Sequence, residues 1–185
     1  MAMMDIRRQR VALEAAGKRA RAEARIDSLT GLPNRRAYDE LLVTEVARAR
    51  RLDLPMSLAM IDIVDFKTIN DRWSPAEGDR CLRELADALR ETLREPDFCF
   101  RWGGDEFALV LSGTRSAETS SIAERLESAV SSSCGRPDGT PLRIRFATVQ
   151  LRDGLSPREL TEIAGVAMTV AKLEGAQTTK ATSSA

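Results

Sequence analysis

Residues 101–107, with the sequence RWGGDEF, decide the fold of this chain. Two adjacent glycines and two adjacent carboxylates lie between the strand-like runs 98–100 and 107–111, which predicts a β-hairpin whose turn lacks side chains at Gly103 and Gly104. Glycine adopts φ angles that other residues avoid and lets a backbone approach a bulky ligand closely. Carboxylates beside such a turn suit a divalent cation and, through it, a polyphosphate, so a nucleoside triphosphate is the first ligand to consider. Taken alone, however, these residues favour a solvated surface turn.

The composition restricts the possible functions. The chain has 185 residues, enough for one domain with an extension, and its 28 Lys and Arg balance its 28 Asp and Glu, which argues against a nucleic-acid binder. His is absent, so His-based zinc sites and His-dependent triads are excluded. We expect a cytoplasmic protein without a membrane segment, because the sequence has no long apolar run, no signal peptide and only scattered cysteines.

Helix-like and strand-like segments alternate along the rest of the chain. Apolar positions that recur every three or four residues predict helices, and short apolar or alternating runs predict strands. The predicted helices are residues 35–50, 76–93, 117–130 and 157–173, with a short helix or turn at residues 65–72. The predicted strands are residues 56–63, 98–100, 107–111 and 142–151. We therefore expect an α/β fold in which helices flank a central sheet that contains the hairpin.

The chain divides into three predicted parts. Residues 1–26 are rich in Arg, Ala and Glu with a thin apolar stripe, which predicts a helical signalling linker to an upstream sensor domain. A solvated helix without that role fits residues 1–26 equally well. Residues 27–177 would form the domain, and residues 178–185 would be a disordered tail.

Polar residues around the hairpin have the chemistry of a metal and nucleotide site. Asp62 ends the first strand, where open α/β sheets place ligand groups, and Asp105 would converge with it from an adjacent strand. These carboxylates and the backbone carbonyl of Ile63 would supply oxygen ligands for Mg²⁺. The residues that could contact phosphates or a guanine edge are Lys67, Asn70 and Asp79. Each residue alone also fits an ordinary role as a helix cap, turn or surface acid.

Together, these separated motifs resemble GGDEF domains, the diguanylate cyclases. The resemblance covers residues 27–175, and the motifs follow in the family's order: 27–36 (DSLTGLPNRR), 62–63 (DI), 66–67 (FK), 69–71 (IND), 78–79 (GD) and 103–107 (GGDEF). It implies a mostly antiparallel, palm-like sheet of the nucleotidyl-cyclase type. It also implies a homodimer that condenses two GTP into cyclic di-GMP with loss of pyrophosphate.

The resemblance implies roles for single residues. Asp62, Asp105 and Glu106 would be the catalytic carboxylates and, with the Ile63 carbonyl, would hold Mg²⁺ or Mn²⁺. Glu106 would help to activate the 3′-hydroxyl of one GTP for attack on the α-phosphate of the other. The substrate-binding residues would be Phe66, Lys67, Asn70, Asp79, Gly103, Gly104 and Lys172, of which Asn70 and Asp79 would recognise guanine.

A second predicted site precedes the hairpin. Arg94 and Asp97 form an Arg-x-x-Asp motif at the offset where the family binds its product and is inhibited. Arg125 resembles an arginine that supports this site from a neighbouring domain. The alternative is an ordinary helix C-terminus, where Arg94 suits the helix dipole and Pro96 ends the helix.

Several positions depart from the family pattern. They are Val64 for a second Asp, Ser74-Pro75 for Gly-His, residues 146–149 for a stretch with Ser and Gly, Gly165 and Thr169 for Asp and Tyr, and Ala176 for a phosphate-contacting Arg. These changes leave open a catalytically weak or inactive domain that senses cyclic di-GMP or GTP. The predicted helix at residues 1–26 leaves open a structural dimerisation module. None of them replaces Asp62, Asp105 or Glu106.

Overall fold

The computed structural model describes residues 24–175 and 178–181. The helix predicted for residues 1–26 lies outside these residues except at 24–26, which are not helical. Ile26 forms a β-bridge with Pro33, because the intervening turn folds the chain back on itself.

The described residues contain helices and strands in alternation. In chain order they are α1 (Arg35–Leu52), β1 (Met56–Ile63), α2 (Phe66–Arg72), α3 (Pro75–Thr92), β2 (Phe98–Gly103), β3 (Glu106–Ser112), α4 (Thr119–Ser133), β4 (Ile144–Gln150), α5 (Pro157–Glu174) and β5 (Thr178–Ala181). A short 3-10 turn, Ser116–Glu118, precedes α4. None of the helices within these residues is long and apolar enough to cross a membrane.

The strands form one sheet in the order β2-β3-β1-β4-β5. The first three pairings are antiparallel, and β5 runs parallel to β4. All eight residues of the central strand β1 are buried, because helices cover both faces of the sheet. The predicted α/β fold with a mostly antiparallel sheet and the signature motif on a hairpin is confirmed.

Two apolar layers hold the helices against the sheet. Ile61 and Phe107 pack on one face with α2, α3 and α4. Met60 and Phe100 pack on the other face with α1 and α5. Since alternate residues of a strand point to opposite faces, Asp62 has the parity of Met60 and belongs to the face that α5 covers.

The prediction of a disordered tail from residue 178 is wrong for residues 178–181. These residues pair with β4, from Phe146 opposite Thr178 to Val149 opposite Ala181. The edge of β4 offers N–H and C=O groups that need partners, and the returning chain supplies them. The remainder of the predicted tail lies outside the described residues.

Two helices, α3 and α5, begin with a serine cap. Ser156 caps α5 and forms a capping box with Glu159, and Pro157 lies in the first turn of the helix. Ser74 caps α3 by accepting a hydrogen bond from the Glu77 N–H, with Pro75 in the first turn. The Ser-Pro pair that departs from the family pattern therefore starts a helix.

Candidate active site

Three side chains form a row across the end of the sheet. Asp62 of β1 lies directly opposite Glu106 of β3 on one side and Arg145 of β4 on the other. Residues paired in this way point to the same face of a sheet. The row therefore combines two carboxylates and one guanidinium, with Asp62 in the middle.

Lys172 of α5 completes the cluster from above the sheet. Its Nζ is 2.7 Å from Asp62 Oδ1 and 2.8 Å from Glu106 Oε1. Arg145 Nη1 is 3.1 Å from Asp62 Oδ2, so each oxygen of Asp62 has a cationic partner. The side chain of Asp62 is only 3% exposed, and a carboxylate so deeply buried requires such compensation.

The two carboxylates also change the pKa of Lys172. Burial by itself would lower the pKa of Lys172, but the hydrogen bonds to Asp62 and Glu106 outweigh it, so the pKa is raised above its ordinary value. Lys172 therefore stays positively charged and bridges the carboxylates of Asp62 and Glu106.

The hairpin turn follows the prediction from its glycines. Gly103 has φ +150° and Gly104 has φ +55°, and a Cβ at either position would meet nothing within 4 Å. Backbone conformation, rather than lack of space, therefore selects glycine at both positions. Asp105 is half-buried beside this turn, and burial, followed by the charge of Asp62, raises its pKa. The structure thus brings Asp105 near Asp62 but pairs Asp62 directly with Glu106.

The donor set fits a divalent cation that binds together with a nucleotide. Among the residues described, no group of three or more His, Cys, Asp and Glu side chains could hold a metal ion. Two carboxylates that share one ammonium group nevertheless suit Mg²⁺, which commonly takes one or two carboxylates and completes its ligands with substrate phosphates and water. Ile63, whose carbonyl is the predicted additional ligand, follows Asp62 at the end of β1.

A second cluster lies where α2 meets α3. A Cβ at Gly78 would lie 1.9 Å from Asn70 Oδ1 and 3.1 Å from the Cζ atom of Phe66. Asn70 Oδ1 is buried and has no hydrogen-bond partner among the described residues, and such an atom is costly unless a ligand or water satisfies it. Asp79 follows in α3, with an oxygen 4.0 Å from Arg83. This cluster can offer an amide and a carboxylate to one ligand.

Lys67, the other residue predicted to contact phosphates, does not belong to the cluster of Asp62, Glu106 and Lys172. Lys67 lies exposed in the first turn of α2 and does not belong to the ion pairs that Asp62 and Glu106 form with Lys172.

The residues of the predicted inhibitory site lie together. Arg94 Nε is 3.5 Å from Asp97 Oδ2, and Arg94 Nη2 donates to Thr114 Oγ1 at 3.2 Å. The side chain of Asp97 is fully buried, and burial raises its pKa, while the charges of Arg94 and Arg125 act in the opposite direction. The motif therefore forms a closed pair on the protein surface, with Arg94 accessible and Asp97 covered.

Sequence reasoning missed two arginines. No local sequence pattern marks Arg145, because its contact with Asp62 depends on the register of β4 with β1. Arg101 begins the signature stretch, and its guanidinium is buried 5.0 Å from the centre of the Phe107 ring. Burial lowers the pKa of Arg101, and the charges of nearby carboxylates, Asp27 first among them, oppose this. The sequence signal for Arg101 is its position shortly before Gly-Gly-Asp-Glu.

Comparison with known proteins agrees with this geometry. The family model described as "Diguanylate cyclase, GGDEF domain" matches residues 24–178. The chain is 34% identical over 159 residues to diguanylate cyclase DosC of Escherichia coli strain K12, a match that covers 84% of this chain and 35% of that protein. It is 42% identical over 124 residues to diguanylate cyclase DgcP of Pseudomonas aeruginosa, covering 67% of this chain and 18% of that protein. The chain thus spans about a third or less of these curated relatives.

Solved structures show the same fold. The GGDEF domain of DgcB from Caulobacter crescentus, in complex with c-di-GMP, superposes with a TM-score of 0.78 at 28% identity, over 85% of this chain and 96% of that one. Diguanylate cyclase SiaD from Pseudomonas aeruginosa, in complex with its activator SiaC, superposes with a TM-score of 0.79 at 33% identity, over 97% of this chain and 70% of that one.

Proposed function

Since this chain belongs to the diguanylate cyclase GGDEF domain family, we propose that it condenses two GTP molecules into cyclic di-GMP and two pyrophosphates. The observation that carries the proposal is the joined pair of carboxylates, Asp62 and Glu106, which share the Lys172 ammonium beside the glycine turn. Phosphoryl transfer depends chiefly on positioning and charge neutralisation, and this cluster supplies groups for both.

Each residue of the cluster has a part in the proposed reaction. Asp62, Asp105 and Glu106, with the Ile63 carbonyl, would hold Mg²⁺ or Mn²⁺, which neutralises charge on the phosphates when bound. Gly103 and Gly104 leave the turn without side chains, so phosphates can approach its backbone. Lys172 is 37% exposed and sits on a flexible stem, so it can turn from the carboxylates towards phosphate oxygens.

The bond changes require two copies of the domain. The 3′-oxygen of one GTP bonds to the α-phosphorus of the other, the bond to the pyrophosphate oxygen breaks, and the 3′-hydroxyl proton leaves with help from Glu106. Two such steps in opposite directions close the ring. The described part of the chain contains one such cluster, so we assign the reaction to a homodimer in which two clusters face each other, under the control of an upstream sensor domain.

The α2–α3 cluster supports guanine as the base. Asn70 has a buried oxygen without a partner among the described residues, and Asp79 can accept from guanine N–H groups. Adenine lacks the N–H groups at these positions and would leave the oxygens unsatisfied.

Product inhibition at Arg94 and Asp97 is part of the proposal. Arg94 is more than half exposed and presents a planar fork that suits a phosphate or a guanine edge. Arg125 would support it. The DgcB GGDEF domain was solved with c-di-GMP, which makes this ligand the first to test.

A second candidate function is that of a sensor that binds cyclic di-GMP or GTP without turnover. One observation favours it: both oxygens of Asp62 already have cationic partners, Lys172 and Arg145, with which a metal ion must compete. The loss of the phosphate-contacting Arg at Ala176 points in the same direction.

Product analysis separates the two candidates. Nucleotide-free protein at high concentration is incubated with GTP and Mg²⁺, then with Mn²⁺, and the products are resolved by chromatography. We expect cyclic di-GMP from the wild type and from Glu124→Gln, which alters an exposed residue of α4, but not from Glu106→Gln. Absence of product from folded wild-type protein would exclude the cyclase, and titration with cyclic di-GMP would then test the sensor.

A further inference from the structure

We infer that Arg145 is a positioning residue that weakens divalent-cation binding at Asp62 and Glu106 and so makes it depend on a bound triphosphate. This inference rests on the proposed function, because it concerns the same carboxylates. It starts from the placement of Arg145, which is set by strand register: Arg145 in β4 is the direct partner of Asp62, on the side away from Glu106.

The two oxygens of Asp62 are divided between two different cations. Oδ2 pairs with Arg145 at 3.1 Å, and Oδ1 pairs with Lys172 at 2.7 Å. Only the second of these cations also touches Glu106. The space between the carboxylates is therefore occupied by Lys172, whereas Arg145 holds Asp62 from the opposite edge.

The two cations differ in how easily they can leave. The side chain of Lys172 is 37% exposed, and that of Arg145 is 17% exposed. Lysine is a point charge on a flexible stem, while arginine keeps its charge at all accessible pH values and has a planar, pre-organised fork. An entering cation can therefore displace Lys172 from the carboxylates, but Arg145 remains beside Asp62.

A retained positive charge opposes a divalent cation. Repulsion between a unit charge and a divalent charge about 6 Å apart lowers the binding constant of the divalent ion by about a factor of ten, even at the dielectric constant of water. The negative charges of a triphosphate offset this repulsion. The protein without nucleotide is thus expected to bind the metal weakly, and the metal is expected to enter together with the nucleotide.

A merely structural role for Arg145 predicts the opposite result. If Arg145 only compensated the buried charge of Asp62, its loss would disturb the carboxylate and leave metal binding weaker or unchanged. If it acts by repulsion, its loss makes metal binding tighter. Whether the affinity for the metal ion rises or falls when Arg145 is replaced therefore distinguishes the two roles.

The test is a Mn²⁺ titration of nucleotide-free protein, in which electron paramagnetic resonance measures free Mn²⁺. We expect Arg145→Gln to bind Mn²⁺ about tenfold more tightly than the wild type, and the charge-conserving Arg145→Lys to stay within about twofold of it. Arg143→Gln removes the same charge from an exposed residue of the same segment and is the matched control, also expected within about twofold because solvent and salt screen it.

Unchanged or weaker binding by Arg145→Gln, or no Mn²⁺ binding by either protein, would overturn the inference. Circular dichroism checks folding, and Arg145→Thr, a residue that suits a strand, replaces Arg145→Gln if that variant does not fold. No substrate or turnover enters the titration. Failure of the proposed function would show instead as absence of cyclic di-GMP from the wild type.

Discussion

Gly78 and Asn70 approach each other so closely that a Cβ at position 78 would lie 1.9 Å from Asn70 Oδ1 and would displace the Asn70 side chain. The contact joins the first turns of α3 to α2 and holds the Asn70 amide in a buried position. The conformation of the proposed guanine pocket therefore depends on a glycine that carries no functional group.

Gly78→Ala is expected to keep the fold but to weaken GTP binding about tenfold, the value of one hydrogen bond. The atom nearest to the new Cβ is the end of the Asn70 side chain, which can rotate away from guanine. Calorimetry with a non-hydrolysable GTP analogue measures the change. Gly165→Ala in α5 is the control, because a Cβ there meets nothing within 4 Å; equal losses in both variants would refute the role of Asn70.

Arg94→Ala is expected to weaken cyclic di-GMP binding by at least tenfold, because a charge-assisted hydrogen bond contributes about 1.5–3 kcal/mol. Isothermal titration of folded protein with cyclic di-GMP gives the dissociation constants without turnover. Arg158→Ala, at an arginine whose side chain is 86% exposed, should bind like the wild type. Equal affinity of Arg94→Ala and wild type would exclude Arg94 from the proposed product site.

Asp97→Asn is expected to stabilise the protein at pH 7. Burial raises the pKa of Asp97 above its ordinary value of 3.8, so the folded state binds this proton more tightly than the unfolded state does. The stability that Asp97 contributes is therefore fully present below that ordinary value and is lost as the pH rises through the folded-state pKa.

The variant should unfold about 2–4 °C higher than the wild type at pH 7, and this advantage should shrink towards pH 4. Thermal unfolding followed by circular dichroism at both pH values measures it. Asp153→Asn, in an exposed loop, should show no such pH-dependent gain. An Asp97→Asn protein less stable than wild type at pH 7 would mean that the Arg94 ion pair outweighs burial.

Tyr38→Phe is expected to lower the free energy of unfolding by about 1 kcal/mol. The buried Tyr38 hydroxyl lies 2.7 Å from Thr161 Oγ1 and links α1 to α5. Phe keeps the edge-on ring contacts with Phe100 and Trp102 and removes only this hydrogen bond. Urea denaturation measures the change, and no loss of stability would mean that the hydrogen bond makes no net contribution.

Short-range signals are sufficient to predict the hairpin and the helix starts. Gly103 and Gly104 act through their own φ angles, and Ser156 caps the helix that immediately follows it, so both features can be read from neighbouring residues. The resemblance to GGDEF domains adds Lys172, which is far from the hairpin in sequence but bonds to Glu106. These predictions depend on local chemistry or on a known pattern.

Long-range pairing explains what the sequence does not reveal. Arg145 meets Asp62 only through the register of β4 with β1, and a shift of one residue would turn its side chain to the other face. The strand at residues 178–181 likewise depends on an edge that β4 leaves open. Its Thr-Thr-Lys-Ala sequence has too little apolar patterning to predict a strand.

In the row of Glu106, Asp62 and Arg145, the backbone pairing and the side-chain charges can change independently of each other. An inserted codon within β1 ahead of Asp62 would turn Asp62 away from both neighbours and abolish the arrangement, so the row depends on the length of this strand. A point mutation at position 106 or 145, by contrast, changes the charge of the row while the backbone pairing remains. Single nucleotide changes can therefore alter the charge of the row without first disrupting the fold.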